Sequence, residues 1–148
     1  GAAETAGDPR VTFTDPGIRA VGIDPRTARR RPGWRVQTLS HSHLGQAIAE
    51  AHTDGLTQLV LDRKHRIVGA SIVGPRAGET IGEMVLAVKR GLRTRDLADA
   101  THPYPTYNDG PWNAAIADVR SQLERPMTAR LITTLARGRT SWLRLRTR

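Results

Sequence analysis

Residues 101–115, THPYPTYNDGPWNAA, gather a histidine, two tyrosines, an acid and a tryptophan into one short stretch ahead of a helical pattern. An imidazole, a phenol and a carboxylate within reach of one another can pass a proton, so His102, Tyr104 and Asp109 are the candidates for acid–base work. No nucleophile, metal-ligand set or cofactor loop accompanies them, and the cluster is not expected to run a reaction by itself. Each also has a plainer reading. Asp109 can cap a helix that Pro111 opens, and Tyr104 can serve as an amphipathic contact residue.

Other stretches offer less. His41-Ser42-His43 holds two imidazoles, but at spacing i,i+2 they share a face only in a strand, and the nearest strand pattern ends near Leu39. They read as surface histidines, as do His52 and His65. GASIVGPR (69–76) spaces its glycines like a phosphate loop but lacks the lysine and hydroxyl that hold phosphate and magnesium. With no cysteine, the chain has no disulfide, thiolate zinc site or cysteine nucleophile, and no metal site is expected.

The 148 residues carry a formal net charge of +9, unevenly spread. Residues 119–148 hold eight arginines against Glu124 alone, a net of +7, and the other 118 residues come to +2. Any argument for an acidic partner therefore belongs to the tail. There Leu123, Met127, Leu131, Ile132 and Leu135 recur at helical spacing among arginines, and SWLRLR follows. Such a segment suits an anionic membrane surface, or a cover over an apolar patch on a neighbouring domain or subunit. One aromatic and no reading motif argue against nucleic acid.

The elements that must position these residues are legible in outline. VTFTDPGIRAVGID gives two β-like runs around the turn Asp15-Pro16-Gly17, TARRRPG a short helix, and WRVQTL a half-buried strand. Leu44, Ala47, Ile48 and Ala51 follow at helical spacing, with Ser40 or Ser42 as N-cap. Runs 57–61 and 66–73 flank Asp62-Arg63-Lys64-His65 as a buried hairpin. Ile81, Val85, Val88 and Leu92 make a helical face stopped by Gly91, and Trp112, Ala115, Ile116, Val119 and Leu123 make another. The order predicts an α+β fold, an antiparallel β-sheet with helices packed on one face. Residues 1–9 read as a leader or the remnant of a longer chain, 10–120 as the domain, and 121–148 as a basic amphipathic tail.

VTFTDPGIRAVGI, the long run TQLVLDRKHRIVGASIVGPRAGETIGEMVLAVKRGLRTRDLADATHPYPT, and the helix after it carry a resemblance. Over about residues 10 to 120 the chain resembles the C-terminal dimerisation domain of the FAD- and NAD(P)H-dependent disulfide oxidoreductases. The ordered series TDP, LVLD, IVGA, IVGPRAGE and DLAD makes the match specific. The resemblance implies a homodimer through this domain, with FAD and NAD(P) domains in the longer parent and no cofactor in the fragment. The lack of cysteine is compatible with a cytoplasmic location, peripheral to a membrane if the tail binds one.

It also implies that the loop matching 102–109 reaches the partner subunit's active site, with Pro103, Pro105 and Thr106 beside the flavin. Disulfide-reducing members carry His-Pro-Thr and then a glutamate. Here Tyr104 stands at that histidine and Asp109 at that glutamate. A phenol, with an unperturbed pKa of about 10, shuttles protons poorly at neutral pH, and His102 lies two residues early. Tyr-Pro-Thr is more similar to the transhydrogenase-like and mercuric-reductase-like branches, without the latter's C-terminal cysteine pair. The competing expectation is a stand-alone adaptor anchored through the basic tail.

Overall fold

The computed structural model describes residues 10–12 and 17–124. The expected leader, Asp15 and Pro16 of the expected turn, and the tail from 125 onward lie outside the described residues. Five strands, β1 (Arg10–Thr12), β2 (Ile18–Gly22), β3 (Arg35–Ser40), β4 (Leu56–Leu61) and β5 (Ile67–Val73), form one sheet in the order β1-β2-β5-β4-β3, and every neighbouring pair is antiparallel. The β4–β5 hairpin forms where the two apolar runs predict it, and β5 is its central strand. Its turn is built by Asp62, whose carboxylate accepts the Lys64 N–H at 2.7 Å and the Arg66 N–H at 2.9 Å, while His65 takes a left-handed φ of 60°.

Alternation then sorts the side chains. Leu59 lies opposite Ala70, Ala70 opposite Val21, and Thr57 opposite Ile72, so these share one face of the sheet. Helices α3 (Ala77–Arg90) and α5 (Asp109–Leu123) cover that face, α3 over β2 and β5, α5 over β3 and β4. The core between them joins Val21, Leu59, Leu61, Ile67, Ala70 and Ile72 to Ile81, Met84, Ala87, Leu97, Ala114 and Ala115. Each large aliphatic side chain there contributes about 1.5–3 kcal/mol by leaving water.

The short helix α1 (Pro25–Arg29), capped by the Asp24 carboxylate, packs near β3 and β4, and Val60, which alternation turns to the opposite face, is fully buried. To reach it the chain crosses Gly69 so closely that a Cβ there would collide with the Ile23 backbone. The arrangement of helices on one face thus holds for α3 and α5, with α1 set apart.

Two helices differ in detail from their patterns. Gly91 ends α3 with a φ of 63°, as expected, and Ile81 of the expected face is buried, but Met84 and Ala87 are buried beside it while Val85, Val88 and Leu92 are only partly so. In α5 the buried side is Pro111, Ala114, Ala115 and Asp118, whereas Trp112 and Ile116 are half-buried and Leu123 is 50% exposed. The small alanines let the helix approach β3 and β4 closely, and the larger apolar stripe is left on its outer side. Ser40 caps the 3-10 turn His41–His43, and not α2 (Gly45–Ala49), whose N-cap Leu44 makes no side-chain bond.

Candidate active-site loop

The loop 101–108 leaves α4 (Thr94–Asp99) and enters α5, and both ends are fastened. At its start the His102 side chain is only 6% exposed. It stacks on Trp112 with centroids 5.3 Å apart, and its Nδ1 lies 3.1 Å from the Ala100 carbonyl oxygen. Its Nε2 lies 2.9 Å from Glu83 Oε1 of α3. The other oxygen of Glu83 accepts from Asn108 Nδ2 at 3.4 Å, so one carboxylate holds both ends of the loop. In the middle, the Thr106 hydroxyl donates to the Pro103 carbonyl at 3.0 Å, and the Thr106 N–H donates to Asp109 Oδ2 at 3.2 Å. The Tyr104–Pro105 peptide is cis.

Tyr107 anchors the loop to the body. Its ring is buried and its hydroxyl donates to Glu50 Oε2 at 2.9 Å. Glu50 also accepts from Gln46 at 2.6 Å and pairs with Arg76 at 2.9 Å. The hydrogen bonds from Gln46 and Tyr107 hold the Glu50 carboxyl below the usual carboxylate range. Burial, and then the Glu50 bond, push the Tyr107 phenol above its ordinary value.

The three acid–base candidates therefore occupy three different places. Tyr104 is 75% exposed, its phenol lying over Gly45 so closely that a Cβ there would come within 2.6 Å of the oxygen. Asp109 is 1% exposed and points inward, with Oδ1 unpartnered among the described residues. His102 faces Glu83 and Trp112. No hydrogen bond joins any two of them among the described residues. Asp109 is also not the helix cap. Asn108 holds that position, and Asp109 sits in the first turn. Pro103 and Pro105 are exposed at the loop's rim, and Thr106 is half-buried behind them.

Two histidines read as surface residues prove otherwise. His41 is 1% exposed, with Nε2 3.0 Å from the Thr57 hydroxyl, and burial holds its pKa below the ordinary 6.5. His65 places Nδ1 2.8 Å from Asp118 Oδ2. Asp118, itself 1% exposed, also accepts from the Thr94 hydroxyl at 2.7 Å and Gln122 at 2.8 Å. His43 and His52 are exposed, as expected. Glu83, Glu50 and Asp118 escaped sequence reasoning because their partners lie 19 to 57 residues away. Among the described residues no group of three His, Cys, Asp or Glu could hold a metal, and no helix is long and apolar enough to cross a membrane.

Comparison with known proteins places this arrangement. The model of the pyridine nucleotide-disulphide oxidoreductase dimerisation domain matches residues 8–115, and the chain belongs to that family. Among its relatives, dihydrolipoyl dehydrogenase of Buchnera aphidicola (subsp. Baizongia pistaciae) is 38% identical over 100 residues, 66% of this chain and 21% of the relative. That of Vibrio cholerae is 34% identical over 109 residues, 72% of this chain and 23% of the relative. The chain thus spans under a quarter of the length of these relatives.

Two solved structures share the fold. LpdA of Mycobacterium tuberculosis superposes with a TM-score of 0.74 at 22% identity, over 77% of this chain and 25% of that one. The HOCl-induced flavoprotein disulfide reductase RclA of Escherichia coli, in its Cu(II) complex, gives 0.70 at 23% identity, over 75% of this chain and 26% of that one.

Proposed function

We propose that this chain is the dimerisation domain of an FAD-dependent NAD(P)H oxidoreductase, pairing two subunits and offering loop 102–109 to the active site of the partner. The observation that carries the reading is the loop itself. Glu83, Trp112, Glu50 and Asp109 fix its ends and base, while Tyr104 is held out at 75% exposure. A side chain presented in this way has its counterpart outside the described residues.

The exposed rim, Pro103, Tyr104 and Pro105, carries no charged side chain and suits a flat aromatic ring laid against it. Bound FAD would supply the redox chemistry there. This chain's own residues present the rim, exclude water from one side and offer a phenol hydrogen bond at Tyr104. Tyr104 and Asp109 are not joined, so the two positions that match the family's acid–base pair do not form one within this chain. This favours a parent that passes hydride or electrons to a quinone, a second nicotinamide or an ion over one that reduces a disulfide. The described residues and the family match lend no support to a membrane contact through the tail, which lies beyond both.

The test is a hybrid dimer of the longer parent. One subunit carries Tyr104→Ala with an intact flavin site, and the other an intact loop with a disabled flavin site. Activity in the hybrid is expected, because the intact loop then faces the intact flavin across the interface. A hybrid as inactive as the two parental variants would overturn the reading.

A further inference from the structure

Beneath the anchored base of loop 102–109 lies a closed polar site that the loop's own chemistry does not use. His41 opens the turn after β3, and its backbone N–H donates to the Gly55 carbonyl at 2.9 Å. We propose that the His41 side chain is an acid-sensitive lock on the loop. The neutral ring seats Tyr107 and the first turn of α5, and protonation releases α2 and the loop together.

The ring is satisfied by one hydrogen bond only. Nε2 lies 3.0 Å from the Thr57 hydroxyl, and Nδ1 has no partner among the described residues. Backbone presses on that unpartnered side. A Cβ on Gly55 would collide with Nδ1, and one on Gly74 would come within 2.9 Å of it. The neutral tautomer that suits these surroundings carries its hydrogen on Nε2 and leaves a bare lone pair at Nδ1. A second proton would put a buried, charged N–H where no acceptor stands, which costs more than an unmade bond of a neutral group. Burial accordingly holds the His41 pKa below 6.5.

One wall of the site is strong and the other weak. Thr57 belongs to the central hairpin. The opposite cover is Leu44, Ala47 and Tyr107, a small cluster separate from the main core. Helix α2 has five residues and no side-chain cap. The Tyr107 ring lies 6.1 Å from the His41 ring, tilted by 53°. Gly110, in the first turn of α5, approaches Thr57 so closely that a Cβ would come within 2.6 Å of the hydroxyl. Segments with few buried apolar contacts open at a lower free energy than a core. When the ring must reach water, α2 and the loop are what yields.

The charged groups around the site do not offset its burial. Glu50, at the end of α2, accepts from the Tyr107 hydroxyl, and Arg76, ahead of α3, pairs with Glu50 and lies 5.8 Å from the Tyr107 ring. His52 follows α2 and acts on Glu50, and Asp109 opens α5. None of them bonds to the His41 ring among the described residues. At the far end of the loop His102 pairs with Glu83 in a separate contact. The open form takes its proton near pH 6.5 and the closed form only at lower pH, so opening becomes easier as pH falls below about 6.5. From pH 7.5 to 5.5 one proton raises it by up to about ten-fold. The consequence for activity rests on the loop serving the partner's active site, whereas the opening itself does not.

Amide hydrogen exchange on the 148-residue chain, corrected for intrinsic rates, tests the opening. The Ile48, His52 and Gly110 amides, bonded to Leu44, Ala47 and Tyr107, are expected to be less protected at pH 7.5 than those of Leu59 and Ala70 on the hairpin. Between pH 7.5 and 5.5 they should lose protection about five- to ten-fold. In His41→Asn the loss should fall below about two-fold, which separates His41 from His102 and the other histidines. Equal protection of the two sets, or a loss under about two-fold in the wild-type chain, would overturn the proposal, and neither needs a variant that folds. An undiminished loss in His41→Asn would overturn it as well. Opening on this chain, while the longer parent is as active at pH 5.5 as at 7.5, would support the lock and count against the loop's part in the partner's site.

Discussion

Replacing Asp118 with alanine should be the most damaging single polar substitution in the domain. The carboxylate is 1% exposed and accepts from the Thr94 hydroxyl at 2.7 Å, His65 Nδ1 at 2.8 Å and Gln122 Nε2 at 2.8 Å, with the half-exposed Arg35 guanidinium 3.7 Å away. The donors do not suffer equally. Thr94 is fully buried and cannot turn to water, so its hydroxyl bears the cost of an unmade bond, about 1–3 kcal/mol. His65 and Gln122 are only partly buried and recover some of theirs from solvent, leaving about 1 kcal/mol each. Arg35 contributes under about 1 kcal/mol as an exposed partner at long range.

The loss should be about 3–6 kcal/mol, a large share of the roughly 5–15 kcal/mol that holds a domain together. Urea melts followed by far-ultraviolet circular dichroism give the number, with the m-value expected to stay constant. Asp118→Asn keeps one acceptor for Thr94 and should lose about half as much. The double variant with Thr94→Val should show a coupling of about 1–2 kcal/mol. A loss below about 1 kcal/mol for Asp118→Ala, or additive effects of the two changes, would refute the idea that this residue ties α5 to the hairpin turn and α4.

Further outcomes can be checked on the same chain. Burial lowers the pKa of His41 in the fold, so as pH falls through about 6.5 the unfolded chain takes up its proton first. Stability should therefore drop below that pH, with a slope from this residue of at most about 1.4 kcal/mol per unit. The difference between wild type and His41→Asn, measured by melts from pH 8 to 5, should isolate it. Tyr107→Phe removes the hydroxyl that donates to Glu50 and should cost about 1–1.5 kcal/mol. The ultraviolet titration difference between the two proteins should place the Tyr107 ionisation above the ordinary phenol value of about 10. Gly45→Ala should change stability by less than about 1 kcal/mol, because the added Cβ meets the mobile end of an exposed side chain. It should still shift the Tyr104 ring resonances, and an unchanged Tyr104 spectrum would count against the described ring position.

Local patterns account for what the sequence made legible. The β4–β5 hairpin announces itself because two β-rich runs flank a polar turn that one residue, Asp62, organises from within. The stop at Gly91 is likewise local, a left-handed residue where only glycine is comfortable. The orientation of α5 was not legible. Of its expected stripe only Ala115 is buried, and close packing on the sheet selected it with the small Ala114 rather than with Trp112, Ile116 and Leu123. The long-range polar pairs also leave no trace in a window of a dozen residues. His65 looks like a turn residue until the fold brings Asp118 to it across 53 positions. The loop 102–109 was identifiable by its residues, but the separation of Tyr104, Asp109 and His102 follows from Glu83 and Glu50, which no local signal connects to it.

The central claim is that this chain pairs subunits, and light scattering on the purified 148-residue protein tests it most directly. A mass of twice 16.2 kDa, persisting on dilution into the micromolar range, is the predicted result. A single species of 16.2 kDa at concentrations well above that range would contradict it.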